Sequence, residues 1–502
     1  MNFSLTHLPF FKYIYSIFLI NILIFILLKH YIESGEKYPK LYNAIKLSLV
    51  DALFSYSTET DAYIINSYYY PKSKSLGENA LAMVLLVNTN TMRDISKIQM
   101  RLVASNGTDN VEVVPKFMRQ ESNSACAYVS IVAKTKLLPG LKNLEITNGD
   151  SRMQIPFRLP KTSTLQPVII CISPQFLSEQ WQLFITQAHV ARRFGGHLHL
   201  YITSMIGTFY HLVKEYEKHG YVTVDYWVRP KFSKSQKSLE PNANSDWRNQ
   251  AGANTDCLLQ YKEAARFITF VDLDDVLFPK KGDSYYDEFS FLSFTNPHIQ
   301  TFIYDRREYL VYKQSKLSLF NFKKTFGHTF FVPGTLTGKP MTRPSSIHSM
   351  SIHLSYNTPD KRRMYVSGNF FLHLQKPRNF TDPVKDSKFK ESPELWGSYN
   401  NQSVMESLQM DLERMMSIPE IQLISQNLQK DIFYLPLMYE CYYGKNFKLG
   451  KCMNAEGCEI PQREDVKCIH SDADYVSGPR MSPITFHYHR NPRFLINVDC
   501  SV

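Results

Sequence analysis

The spacing of apolar and polar positions changes character along the chain. From Tyr13 to Leu28, YIYSIFLINILIFILL, no charge interrupts the run and apolar residues would cover every face of a helix. Counting Phe10, Phe11 and a snorkelling Lys12, the segment reaches the ~20 residues that a bilayer core requires. No small-residue cleavage pattern follows, so residues 13–30 are expected to be a retained transmembrane signal anchor, with 1–12 as a cytoplasmic tail and 31–60 as a stem. Lysines flank the segment on both sides (Lys12 against Lys29, Lys37 and Lys40), so the positive-inside rule does not orient it. From 61 to 160 the pattern shortens to β-rich runs, among them ALAMVLLVNT, KIQMRLVAS, VEVVPKF and ACAYVSIVA, divided by Asn, Gly, Pro and Ser. Such spacing predicts a small β-sandwich as an accessory domain.

After Pro167 strands and helices alternate. VIICI (168–172) reads as a strand; Trp181, Phe184, Ile185 and Ala188 follow at helical spacing, stopping at Gly195-Gly196. LHLYI (198–202) is a second strand, and Phe209, Leu212, Val213 and Tyr216 mark a second helix with Gly220 at its C-cap. VTVDYW is a third strand; after a polar loop over 231–250, a short helix at about 255–265 leads into FITFV. Successive βαβ units imply an α/β fold: an open, mainly parallel sheet flanked by helices.

That last strand ends in FVDLDDVLFP, which delivers Asp272, Asp274 and Asp275 to the carboxyl end of the sheet, where ligands of such folds bind. Asp272 and Asp274 share one side of an extended chain, and Asp275 begins the turn. Two such carboxylates suit a hard divalent cation that also takes phosphate oxygens. The same letters fit the D-x-D-x-[TV]-L opening of haloacid-dehalogenase-like phosphatases, and Gly282-Asp283 with Asp287 imitates their later motif. Its spacing argues against that alternative, because the second motif belongs on a distant strand.

The net charge of +11 includes no long basic run, which argues against nucleic-acid binding and for anionic ligands. All eight cysteines follow the apolar segment, with Cys441, Cys452, Cys458, Cys468 and Cys500 crowded near the end. Their irregular spacing favours disulfides in an oxidising lumen over zinc, and residues 436–502 are expected to be a Cys-rich, loop-rich tail packed on the catalytic core. Sequons at Asn106, Asn379 and Asn401 are compatible with that compartment.

With these pieces in order, the chain resembles the lumenal glycosyltransferases, specifically glycosyltransferase family 92. The matching segments are CISPQF (171–176), YEKHGYVTV (216–224), TDCLLQY (255–261), FVDLDDVLFP (270–279) and KPMTRPSSIHSMSIH (339–353). The resemblance implies a GT-A type fold over 167–435, a UDP-sugar donor (UDP-galactose), Mn²⁺ or another divalent cation, a glycan acceptor, inversion at the anomeric carbon, and a type II membrane protein of the Golgi. It makes Asp272 and Asp274 ligands of the metal and donor diphosphate. The family's Glu after the second Asp is Asp275 here, and its later H-Y-R reads His373-Leu374-Gln375, which loses a cation. An inactive sugar-binding relative is therefore the alternative.

His353 is the first candidate for a third metal ligand, His373 the second, and the His487–Arg490 stretch the third. Arg343 is a candidate for pairing with a phosphate. Asp382, Glu391 and Glu394 are candidate general bases among which the sequence does not choose, and Asp275 is expected to matter less than Asp274.

Overall fold

The computed structural model describes residues 60–500 apart from short segments, the longest being 232–240, 379–389, 392–401 and 444–451. The expected anchor and nearly all of the stem lie outside the described residues. Among those described, no helix is long and apolar enough to cross a membrane.

The four strands that the hydrophobic spacing predicts are present and parallel, but the ten-stranded sheet they open is mixed, which corrects the expected mainly parallel sheet. Val222–Tyr226, Gly196–Ile202, Val168–Gln175 and Phe267–Val271 lie side by side, all parallel. Chain order thus runs 3-2-1-4, and it reverses between the strand Val168–Gln175 and the strand Phe267–Val271. Connections leave this boundary in opposite directions and open a crevice at the carboxyl ends of the two strands. The sheet then turns antiparallel: Leu336–Thr342 pairs with Phe267–Val271 on one side and with Thr301–Tyr312 on the other. Arg363–Arg378 adds in parallel to Thr301–Tyr312. The helices Trp181–Arg193 and Gly207–Lys218 are followed by Gly195 and Gly220 at φ +75° and +76°, the left-handed conformation that glycine adopts without a Cβ clash.

Strand Val168–Gln175 shows how the layers assemble. Val168, Ile170 and Ile172 face one core with the helices Trp181–Arg193 and Gly207–Lys218, while Ile169 and Cys171 face another with the helix Gln250–Tyr261. That helix begins five residues earlier than expected, at Gln250 rather than 255. All twelve of its residues are buried, so it carries no amphipathic stripe to mark its start. Asn249, in the left-handed region, caps it by accepting from the Gly252 N–H at 3.2 Å.

The β-rich runs form two further sheets. Four strands, Asn110–Val113, Arg101–Ser105, Asn143–Thr147 and Arg152–Gln154, pack over a seven-stranded sheet that contains Thr60–Tyr70, Ala80–Asn88, Tyr128–Lys136 and Lys116–Arg119. The remaining members of the larger sheet are Ser204–Ile206 and a C-terminal hairpin, Lys467–Met481 with Ile484–Asp499. The loop-rich tail expected over 436–502 is corrected accordingly. Its alternation of apolar and polar residues in ITFHYHR is that of a strand, and Thr60 to Ile64 pair in parallel with Ile484 to Tyr488.

All eight cysteines are oxidised, as Cys126–Cys452, Cys171–Cys257, Cys441–Cys458 and Cys468–Cys500. The second ties strand Val168–Gln175 to helix Gln250–Tyr261 beside the crevice.

Candidate functional site

A cavity of about 400 Å³ occupies the crevice at the reversal of strand order, lined by Asp272, Asp274, Arg306, Lys339, His353 and His373 among others. Strand Phe267–Val271 is wholly buried, so it fixes the carboxylates rigidly at its end. Three consecutive non-glycine residues, Trp247, Arg248 and Asn249, are held at φ 43°, 54° and 60°. That conformation is costly and persists where packing imposes it. Here the turn sets the Trp247 ring in the cavity wall and brings Gln250 Nε2 to 3.0 Å from Asp272 Oδ1.

The three carboxylates are met by protein cations that the charge pattern did not reveal. Lys339 Nζ lies 2.7 Å from Asp272 Oδ2 and 3.7 Å from Asp275 Oδ2, and Arg306 Nη1 is 3.5 Å from both residues. Burial would raise the Asp272 carboxyl, but Lys339 and Arg306 outweigh it and hold the group well below the usual range. Lys339 is 1% exposed and is enclosed together with these partners.

Asp275 is the most enclosed of the three carboxylates. It is fully buried, and its Oδ2 accepts from the Asp272 N–H at 3.1 Å while His373 Nδ1 lies 2.9 Å from Oδ1. Burial acts against its ionisation, and the His373 bond and Lys339 reverse that and lower it. Rather than beginning a free turn, Asp275 starts a two-residue strand paired with His373 and Leu372. His373, for its part, would be neutralised by burial, but Asp274 and Asp275 push it up to about 9, so it is a cation at neutral pH.

Asp274 differs from its neighbours. Its carboxylate accepts no hydrogen bond among the described residues, and its nearest cation, His373, is 3.6 Å away. Burial dominates, and although His373 lowers it, Asp275 and Asp272 help push it up to about 6. An under-compensated hard oxygen donor facing a cavity fits a divalent cation. Asp274, Asp275 and His373 present ligand atoms within 4.8 Å of one another. The protonated Nδ1 of His373 has no lone pair to give, however, and Asp272, expected to pair with Asp274 as a metal ligand, is here engaged by Lys339 and Arg306. His353 suits the role better. Its Nδ1–H donates to the Gly338 carbonyl at 3.0 Å, and burial, helped by Lys339, holds it neutral, down to about 4, leaving Nε2 with a lone pair. The donor chemistry therefore suits such an ion at Asp274, with His353 among the residues that line the same cavity.

Other candidates lie elsewhere. Arg343 does not line the cavity; its Nη2 donates to the Pro297 and Ile299 carbonyls at 2.8 and 2.7 Å, so it anchors a loop. His487 is 2.7 Å from Asp61 in the seven-stranded sheet. Glu391 pairs with Phe330 in a short strand, and Asp382 and Glu394 lie outside the described residues. The phosphatase-like Asp287 instead serves the start of the helix Tyr285–Thr295, where Ser284 Oγ donates to its carboxylate at 2.7 Å.

The sequence also missed the wall opposite the acids. Helix Tyr434–Tyr443 presents Leu435, Met438, Tyr439, Tyr442 and Tyr443 to the cavity, a single face by its spacing. Glu179 holds its start, accepting from the Phe433 and Leu435 N–H groups at 2.9 Å each. The spacing was available in the sequence, but lay in a stretch read as tail.

The model of glycosyltransferase family 92 matches residues 166–416, spanning the crevice and its acids. Family 92 proteins of Caenorhabditis elegans are similar over nearly the whole chain. ZK381.2 is 39% identical over 88% of this chain and 89% of its own length, and F55C10.4 is 35% identical over 88% and 90%. C33H5.2 is 31% identical over 88% and 90%. Among solved structures, S. aureus TarS 1–349 in complex with UDP-GlcNAc covers 50% of this chain and 72% of its own at 13% identity and TM-score 0.22, too slight a likeness to carry an argument. On the matched model and the extent of these relatives, the chain belongs to glycosyltransferase family 92.

Proposed function

We propose that this glycosyltransferase moves a hexose, galactose in this reading, from a UDP-sugar to a glycan hydroxyl with inversion, on a GT-A type fold. The observation that carries the reading is Asp274, an under-compensated carboxylate at the strand-order reversal, facing a cavity otherwise rich in cations. A divalent cation, Mn²⁺ in this reading, would supply the Lewis acidity that stabilises charge developing on the departing diphosphate. Asp274 and His353 would hold it. Lys339 and Arg306 keep Asp272 ionised and fixed, and as cavity residues they add positive potential where a diphosphate would lie. Helix Tyr434–Tyr443 walls the cavity with aromatic surface and excludes water. Glu179 is the remaining cavity carboxylate outside the acidic cluster, and both its oxygens are taken by backbone N–H groups, so the general base is left unassigned.

The same reading places residues from about 30 onward in the secretory lumen, with 13–30 as anchor and the Golgi as the compartment. Four disulfides support an oxidising environment. The test is transfer by the full-length chain in detergent from UDP-galactose, UDP-glucose and UDP-GlcNAc, with and without chelator, the product anomer being read by NMR. Chelator-sensitive transfer of galactose with inversion is expected; undiminished transfer with chelator, or retention, overturns the corresponding part. A second reading, a sugar-binding relative without transfer, is favoured by the engagement of Asp272 with Lys339. It predicts UDP-sugar binding with neither transfer nor hydrolysis.

A further inference from the structure

A second groove, of about 430 Å³, opens away from the acids, between strand Thr60–Tyr70, the segment that follows Arg152–Gln154, and the C-terminal hairpin. Two guanidinium groups line it. Arg158 is fixed by its backbone, donating to the Ser67 carbonyl at 2.8 Å and accepting from the Tyr69 N–H at 2.9 Å, as an added strand residue would. Its side chain forms no ion pair among the described residues and is exposed to solvent. Arg490 crosses from the hairpin, donates to the Gln154 carbonyl at 3.2 Å and stands 5.2 Å over the Tyr488 ring. Between them His489 bonds Tyr63 Oη through Nδ1 at 3.1 Å.

No carboxylate lines this groove. Behind the wall, Asp256, bonded by Asn66, Tyr68 and Tyr201 at 2.8, 3.0 and 2.6 Å, acts together with Asp225 on the Arg158 guanidinium from the protein side and favours its charged form. With the acids behind the wall and none in the lining, the groove's open side presents two guanidinium groups to which an anion can bond. A guanidinium takes a carboxylate or sulfate through two parallel N–H bonds. The remaining lining is Ile64, Ile155 and Pro156 beside amide groups such as Gln154, a combination that suits the C–H face and the hydroxyls of a sugar ring. The volume lies within the ~300–1,000 Å³ of small-ligand sites.

We propose that this groove binds an anionic saccharide, a uronate or a sulfated sugar, at a site separate from the donor cavity. Such a site would tether an acidic glycan to the chain, and it stands whether or not the acidic cavity transfers sugar, because binding is read directly. Full-length protein in detergent is titrated calorimetrically with methyl β-glucuronide, galactose 6-sulfate, methyl β-galactoside and inorganic sulfate. Binding of one or both charged sugars is expected, whichever of the two binds naming the anion, with at least tenfold weaker binding of the neutral glycoside. Arg158→Gln and Arg490→Gln should each weaken the charged sugar about tenfold or more. Arg158→Lys keeps the charge but loses the planar fork, and should weaken it less. Equal affinity for the neutral glycoside, or inorganic sulfate binding as tightly as the sugars, overturns the proposal. Should a variant fail to fold, hydrogen exchange on the wild type decides: protection by the charged sugar over 154–158 and 488–492 supports the site, and protection over 272–274 instead, or none, rejects it.

Discussion

Asp274 and Asp275 are neighbours with opposite electrostatic situations, and in the proposed reading the first would hold the metal while the second is structural. Asp275 is enclosed by His373, Lys339 and the Asp272 N–H, whereas Asp274 keeps its charge without a close partner. Asp274→Asn should leave melting nearly unchanged and lower transfer by about 10² or more, roughly 2.7 kcal/mol of transition-state stabilisation. A folded Asp274→Asn protein with wild-type transfer would place the donor elsewhere. Lys339→Met tests the counter-charge. It leaves the buried Asp275 and the partly buried Asp272 short of a cation and should cost about 3 kcal/mol at neutral pH in chelator. In the wild type the folded Asp272 is more acidic than the unfolded ~3.9, so its contribution is complete above that value and is lost as pH falls through the lower folded one. Without Lys339, burial acts against ionisation with less to offset it, so the variant's deficit should shrink as pH falls. Denaturation curves with a deficit independent of pH would show that the lysine acts by packing alone.

At the scale of elements, the strand Ala80–Asn88 is the informative case. Leu81, Met83, Leu85 and Val87 face the core shared with the four-stranded sheet, and Ala80, Ala82, Val84 and Leu86 face the core shared with helix Gln250–Tyr261. Leu85→Ala and Leu86→Ala should therefore each cost about 2–5 kcal/mol by denaturant titration, although they point in opposite directions. A near-silent Leu86→Ala would mean that this face is not sealed by the helix. ALAMVLLVN already carried the message, because a continuous apolar run marks a strand covered on both faces. The parallel strands, their helices and the acids at the strand end were legible for the same reason: local period and glycine stops encode them. What was not legible is pairing across long separations. Lys339 opens the KPMTRP segment, Arg306 sits among the charges of DRRE, and nothing local says that both arrive at Asp272. Arg343 was misjudged for the complementary reason, because its carbonyl acceptors come from a loop 44 and 46 residues away in sequence.

Across the whole molecule the two ends of the described chain meet in one sheet, so the C-terminal hairpin is part of the framework on which the site rests. Ile484, Phe486 and Tyr488 fill the core between the sheets, and Ile469 and Cys468 fill that of the α/β half. At ~1.5–3 kcal/mol for each large buried apolar side chain, removing them forfeits an amount comparable to the ~5–15 kcal/mol that holds a whole domain together. Deleting residues 466–502 also leaves strand Thr60–Tyr70 without its parallel partner, exposing backbone donors and acceptors on a long edge. The truncated chain should therefore aggregate or be retained unfolded instead of losing activity alone. The milder test is Cys126→Ser with Cys452→Ser, which opens a closure spanning 326 residues. That bond restricts the unfolded chain, so its loss should cost about 2–5 kcal/mol while the acidic cavity keeps its geometry. The expected signature is a lower melting temperature with an unchanged UDP-sugar dissociation constant at 25 °C. If the truncated protein melted cooperatively at the wild-type temperature, the hairpin would be an appendage after all, and the integration of the two sheets through strand Thr60–Tyr70 would be wrong.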